Sequence, residues 1–133
     1  MQIEKAADTR SLLNTIIQGI QRKKGNEIVK INLSVLKNSF CPFFIVCHGN
    51  STKQVSAIAD SVEELVHANL NQKIWHREGV ENARWVLLDY YDVVVHIFLK
   101  EFRDLYKLEE LWADAEIDLI EEQVVKKEKS RNE

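Results

Sequence analysis

A glycine turn, a pair of aspartates, four histidines and two cysteines are the residues of this 133-residue chain whose types could do chemistry. His48-Gly49-Asn50-Ser51-Thr52 follows an apolar run and opens a helical pattern, so its free backbone N–H groups could hold an anion. A phosphate loop of the Walker kind needs two glycines at fixed spacing and a following Lys-Ser/Thr; Lys53 is misplaced for it. Strand, glycine and helix cap is also a common join, so plain capping is the commoner reading of Gly49-Asn50-Ser51. Asp89 and Asp92 could act as paired carboxylates, but residues three apart on a strand project to opposite faces. Nucleotide-transfer sites that follow a glycine turn use two acids two apart on one strand, a spacing missing here. His48, His67, His76 and His96 lack the short helical spacing of a zinc site, and Cys41 and Cys47 lack a second pair, so no metal is expected. His96 sits inside Val-Val-Val-His-Ile-Phe, where an imidazole satisfied by a neighbour, in the core or at an interface, is commoner than a ligand or a base. Gly49-Asn50-Ser51 also lacks the flanking pattern of a nucleophile elbow.

The aromatic set offers a different chemistry. Trp75, Trp85, Tyr90, Tyr91, Tyr106 and Trp112 are many large amphipathic rings for a chain of this size. Trp112 and at least one of Trp75 or Trp85 are expected in the core. The others suit a protein-binding patch, where Trp and Tyr are favoured anchors. Asp89, Asp92 and Glu101 would make that patch acidic and draw a basic partner. Pairing of the same ribbon, residues 85–98, with a second copy is the competing use of these residues.

These side chains must be positioned by elements that the apolar pattern reveals. Leu12, Leu13, Ile16, Ile17 and Ile20 form one stripe of a helix over 9–24, with Asp8 or Thr9 at its start and Gly25 as its stop. Residues 27–33 alternate as a half-buried strand, and 40–47 read as a central strand with Pro42 near its start. Val55, Ile58, Ala59, Val62, Leu65 and Val66 mark a second helix over 51–69, capped by Ser51 or Asn50. Strands are expected at 73–77, 84–89 and 92–99, the last two parted by Tyr90-Tyr91, which lacks the usual residues of a tight hairpin. From Glu101 the spacing of Phe102, Leu105, Leu108, Leu111 and Trp112 turns helical, as one helix or as two short ones. Residues 116–125 suggest a weak amphipathic helix, and 126–133 a disordered end. The fold class is therefore α/β: one domain over residues 1–115, a mixed sheet of about five strands flanked by helices, then a charged tail over 116–133.

A formal charge of −3 argues against direct nucleic-acid binding through a basic face. Cys41 and Cys47 lie too far apart on one strand to bridge, so free thiols and a reducing compartment are expected. No apolar run approaches the roughly 20 residues that span a bilayer. The polar start, Met1-Gln2-Ile3-Glu4-Lys5, does not fit a secretory signal, and a cytoplasmic location is expected.

Three blocks carry a resemblance to a known family. They are Phe44 to Ser51 with Gln54-Val55 and Ala57 to Asp60; Trp85 to Tyr90 with Asp92 to Phe98; and Glu101, Arg103, Tyr106 with Leu108-Glu109, Leu111-Trp112 and Asp114-Ala115. Together they resemble the ribosomal silencing factor family, also called Iojap-like, over roughly residues 9–115. The resemblance implies a nucleotidyltransferase-like domain without the catalytic acids, no enzymatic activity and no cofactor. It implies a repressor of translation that binds universal large-subunit protein fourteen and blocks joining of the small subunit when nutrients are short. It also implies a homodimer when free. The matching positions expected at or beside the ribosomal contact are Trp85, Leu87, Asp89, Tyr90, Asp92 and His96 on the ribbon, with Glu101, Arg103, Tyr106 and Trp112 after it. Two departures stand out: Tyr91 takes a place where many members have Gly, and His48 one where Ser or Thr is usual.

Overall fold

The computed structural model describes residues 8–36, 42–111 and 115–120. Their order is α1 (Thr9–Arg22), β1 (Asn26–Asn32), β2 (Phe43–Gly49), α2 (Thr52–Leu70), β3 (His76–Glu78), β4 (Trp85–Asp89), β5 (Val93–Leu99), α3 (Lys100–Tyr106), α4 (Leu108–Leu111) and β6 (Glu116–Leu119). The strands form one six-stranded sheet in the order β3-β4-β5-β2-β1-β6. β2 and β5 run parallel at its centre, and every other pair is antiparallel. The mixed α/β architecture is the one expected from the sequence.

The two long helices lie on one side of this sheet. The α1 stripe of Leu12, Leu13, Ile16 and Ile20 and the α2 stripe of Val55, Ile58, Val62 and Val66 pack against Ile45, Cys47, Val86, Leu88, Val95 and Ile97. Alternate strand residues face the other way. There Val29, Ile31, Val46 and Phe98 form a smaller cluster with Leu108 from α4. The period-two projection of a strand thus divides the apolar residues between a thick layer and a thin one. Ser61 Oγ donates to Gly19 O at 2.8 Å and links α1 to α2. A Cβ at Gly19 would stand 2.9 Å from the Val62 Cα, so only glycine permits that approach.

Three local expectations change. Gly25 ends α1, but the left-handed residue is Lys24, at φ 58°. Gly25 instead donates its N–H to Ile20 O at 3.0 Å, and a Cβ there would stand 2.3 Å from the Ile20 Cγ2. The strand expected at 73–77 is the short edge strand β3, His76–Glu78. Residues 116–119 are the strand β6, paired with β1, where a helix was expected, so the sheet extends past residue 115. Glu116-Ile117-Asp118-Leu119 alternates with period two, and the open edge of β1 supplies the hydrogen bonds that a four-residue helix could not. Cys47 is buried and free, and burial raises its thiol pKa to about 12. Cys41 and residues 121–133 lie outside the described residues.

The turn from β3 into β4 depends on Gly79. Its φ is +78°, and a Cβ there would meet the Trp85 carbonyl oxygen at 2.1 Å. Gly79→Ala should lower folding stability by about 2 kcal/mol, through left-handed strain and displacement of the β4 backbone. Urea unfolding followed by circular dichroism measures this, and an unchanged midpoint would contradict it.

Candidate functional site

The sheet face away from α1 and α2 holds most of the residues singled out in the sequence. Strand register sets them in rows. Leu87, His96 and Val46 are partners across β4, β5 and β2; Asp89, Val94 and Phe44 form the next row; Trp85 pairs with Phe98. Helix α3 starts directly after β5 and lays Tyr106 beside the Trp85 ring, centroids 5.0 Å apart. The Phe98 ring lies 4.7 Å from Trp85. Trp85 is half-buried, Leu87 and Asp89 are partly exposed, and Asp92 and Glu101 are exposed.

His96 is held in a single way. The Trp85 Nε1–H donates to its Nδ1 at 3.1 Å, which leaves the proton of the neutral ring on Nε2. Phe44 meets the ring edge-on at 4.6 Å. His96 is 4 % exposed, and among the described residues its Nε2 has no hydrogen-bond partner. Burial pushes its pKa down to about 4. The expectation of a satisfied imidazole therefore holds for one nitrogen only.

Arg103 departs from expectation. It was placed at the partner contact but is buried, 6 % exposed. Its Nη1 donates to Glu27 O at 2.8 Å, to Asn26 O at 3.3 Å and to the His48 Nδ1 at 3.0 Å. Its Nε donates to Glu109 at 3.0 Å, and Nη2 also bonds that carboxylate. The register of β1 against β2 shifts between Asn26 and Val29, with Glu27 at φ 47°. Such a bulge turns backbone carbonyls away from regular pairing, and a guanidinium with five donors can satisfy several at once. Arg103 thus docks α3 and α4 onto the sheet. Burial first, and then the Arg103 charge, lower the His48 pKa, so His48 serves as a neutral acceptor.

Tyr90 also departs from the expected contact role. At 2 % exposure it belongs to the core under the helices, and burial raises its pKa. Trp112 lies outside the described residues. The division into two short helices, one of the readings of this stretch, is the one found: Lys107 is left-handed at φ 48° and parts α3 from α4. Leu108 turns inward, while Leu105 and Leu111 are each 71 % exposed. Which leucines would face water was not legible in the spacing.

The glycine turn uses its donors internally. Asn50 N donates to Gln54 Oε1 at 2.8 Å, Gln54 N to Ser51 Oγ at 3.1 Å, and Val55 N to Ser51 O at 3.0 Å. Gln54 Nε2 in turn donates to the Lys23 and Lys24 carbonyls, both at 3.1 Å. Capping of α2 and tethering of the α1 end account for this turn. The Asp89 carboxylate accepts the Tyr91 N–H at 2.7 Å, and Asp92 accepts from Thr9 Oγ1 at 3.3 Å, so the two acids serve different partners. Among the described residues no group of three or more His, Cys, Asp or Glu could hold a metal ion.

The architecture is a mixed α/β sheet with the two long helices packed on one face, and with Trp85, Leu87 and the short helices α3 and α4 on the other. A family model described as "Ribosomal silencing factor during starvation" matches residues 6–133. The chain belongs to the ribosomal silencing factor family. It is 42 % identical over 106 residues to the ribosomal silencing factor of Halalkalibacterium halodurans, covering 80 % of this chain and 89 % of that one. It is 37 % identical over 73 residues to the chloroplastic protein Iojap of Zea mays, covering 55 % of this chain and 31 % of that one. A crystal structure of a Chromobacterium violaceum protein superposes with a TM-score of 0.75 at 35 % identity, covering 80 % of this chain and 87 % of that one. The family expected from the three sequence blocks is the family found.

The buried His96 sets a pH dependence. Its folded pKa, about 4, lies below the ordinary 6.5. The neutral ring therefore favours the folded state fully above pH 6.5, and this contribution is lost as pH falls toward 4. A second proton must go to Nδ1, where the Trp85 N–H already points. By pH 5 the loss should reach about 2 kcal/mol. Urea midpoints should fall between pH 6.5 and 5, and fall less in His96→Phe, where His48 alone leaves a residual slope. Equal slopes in the two proteins would contradict this origin.

Proposed function

We propose that this chain silences translation by docking its uncovered sheet face on the large ribosomal subunit, at universal large-subunit protein fourteen. Occupying that position blocks association with the small subunit. The chain then acts as a steric wedge and needs neither a catalytic group nor a cofactor. Family membership supports the ribosomal role. The observation that carries the choice of surface is the exposure of Leu105 on α3 and Leu111 on α4, the short helices on the side of the sheet where Tyr106 meets Trp85, away from the two long ones. Trp85, Leu87 and Tyr106 supply the central anchors, and Asp89, Asp92 and Glu101 supply an acidic rim for a basic partner. His96 acts from beneath by holding the Trp85 ring, and Arg103 by docking α3 and α4, while Tyr90 is buried on the other side of the sheet.

The transferase alternative at Gly49-Asn50-Ser51 has lost its support, since the Asn50 and Gln54 amides are bonded within the turn. No described helix is long and apolar enough to cross a membrane. We place the chain in the cytoplasm with the ribosomes that it would silence. When free it pairs with a second copy, which shields the same exposed leucines from water.

Leu105→Asp tests the surface. Leu105 is already exposed, so folding stability should stay within about 0.5 kcal/mol. Co-sedimentation with separated large subunits should weaken at least about tenfold, the loss of an anchor worth about 1.4 kcal/mol or more. Failure of the unaltered chain to co-sediment would overturn the ribosomal reading. Unchanged binding of the variant would move the contact to another surface. Sedimentation of the free chain should show a concentration-dependent dimer that the same substitution weakens.

A further inference from the structure

A second aromatic group stands at the end of β4 farthest from Trp85, where the chain turns through Tyr90-Tyr91-Asp92 into β5. Trp75 is 67 % exposed and Tyr91 70 % exposed. Their ring centroids lie 5.8 Å apart at an interplanar angle of 58°, so they form an open corner and do not stack. His76 adds a third ring, 6.1 Å from Trp75 at 63°. The backbone fixes this corner. Trp75 N donates to Asp89 O at 2.9 Å, and the Asp89 carboxylate accepts the Tyr91 N–H. Tyr91 has φ +81°, a conformation that glycine adopts freely and a tyrosine does not. Two large rings in water, one on a strained backbone, do not serve the core.

We infer that the Trp75–Tyr91 corner is a docking point for an arginine side chain in an extended basic segment of a protein partner. A ring face attracts a cation within about 6 Å of its centroid. The carboxylates of Asp89 and Asp92 lie at the same turn and add a negative field. Lys73 and Arg77 are the cations nearby in sequence; Lys73 is exposed, and Arg77 is paired with Glu63. An apolar side chain would also cover the rings, but it would gain nothing from the negative field of those carboxylates. A guanidinium can stack on a ring and bond a carboxylate in one pose, which an ammonium cannot. A nucleic-acid strand could stack its bases there, but its phosphates would meet the two acids. The corner shares Asp89 and Asp92 with the rim proposed for the ribosomal face but uses different rings, at the end of β4 opposite the Trp85 anchors.

The test is a nuclear magnetic resonance titration of the labelled full-length chain at low ionic strength. The probes are a peptide alternating Arg and Ser, its citrulline counterpart, which is neutral and of the same shape, and a single-stranded oligouridylate. The arginine peptide should shift the Trp75 indole N–H and the Tyr91 amide; the other two should not. Its affinity should fall about three- to fivefold in Tyr91→Gly and in Trp75→Ala. Glycine suits the backbone at position 91, so the first variant keeps the fold. Leu105→Asp should bind the peptide unchanged, which separates this corner from the face proposed for the large subunit. Unmoved signals, an equal response to citrulline, a response to the oligouridylate, or undiminished affinity in Tyr91→Gly would each overturn the inference.

Discussion

The parallel pairing of β2 with β5 is the constraint on which the rest of the molecule depends. It joins residues 43–49 to residues 93–99 and makes both strands internal, with the antiparallel strands added outward on either side. Once these two strands are paired, the pleat decides every later role. Ile45, Cys47, Val95 and Ile97 must face the long helices, and Phe44, Val46, His48, His96 and Phe98 must face the other way. Residues on the first side are sealed under α1 and α2. Those on the second receive only the short segments α3 and α4, and so part of that face remains available for another molecule.

Two polar groups hold the thin side in shape. Arg103 ties α3 and α4 to the bulged start of β1 through carbonyls, an imidazole and a carboxylate. His96 receives the Trp85 indole and orients that ring toward Tyr106. Neither group is placed to meet a partner directly. Both reduce the freedom of the aromatic anchors, so less ordering entropy opposes association.

Much of this was legible along the chain. Helices α1 and α2 followed from apolar stripes of helical period, and the central strands from unbroken β-branched runs. The spacing of Asp89 and Asp92 argued against a paired-acid site, and their separate bonding partners agree. Residues 116–119 were harder. Four residues carry too little periodicity to separate a helix from a strand, and the free edge of β1 decided the outcome. The leucines of 105–111 were legible as helical, in one piece or two, but not in their exposure. A helical stripe predicts a shared face only while the helix is continuous, and Lys107 breaks it.

The sequence by itself determined the family, the α/β class and the set of residues from which a docking face is drawn, because local periodicity and the three motif blocks are properties of neighbours along the chain. Only the tertiary structure decided which of those residues touch water. Tyr90 and Arg103 look no different in the sequence from Tyr91 and Arg84, yet the first pair is buried and the second exposed. Burial depends on which distant segment lies across a side chain, and here β2, the β1 bulge and the two long helices made that choice.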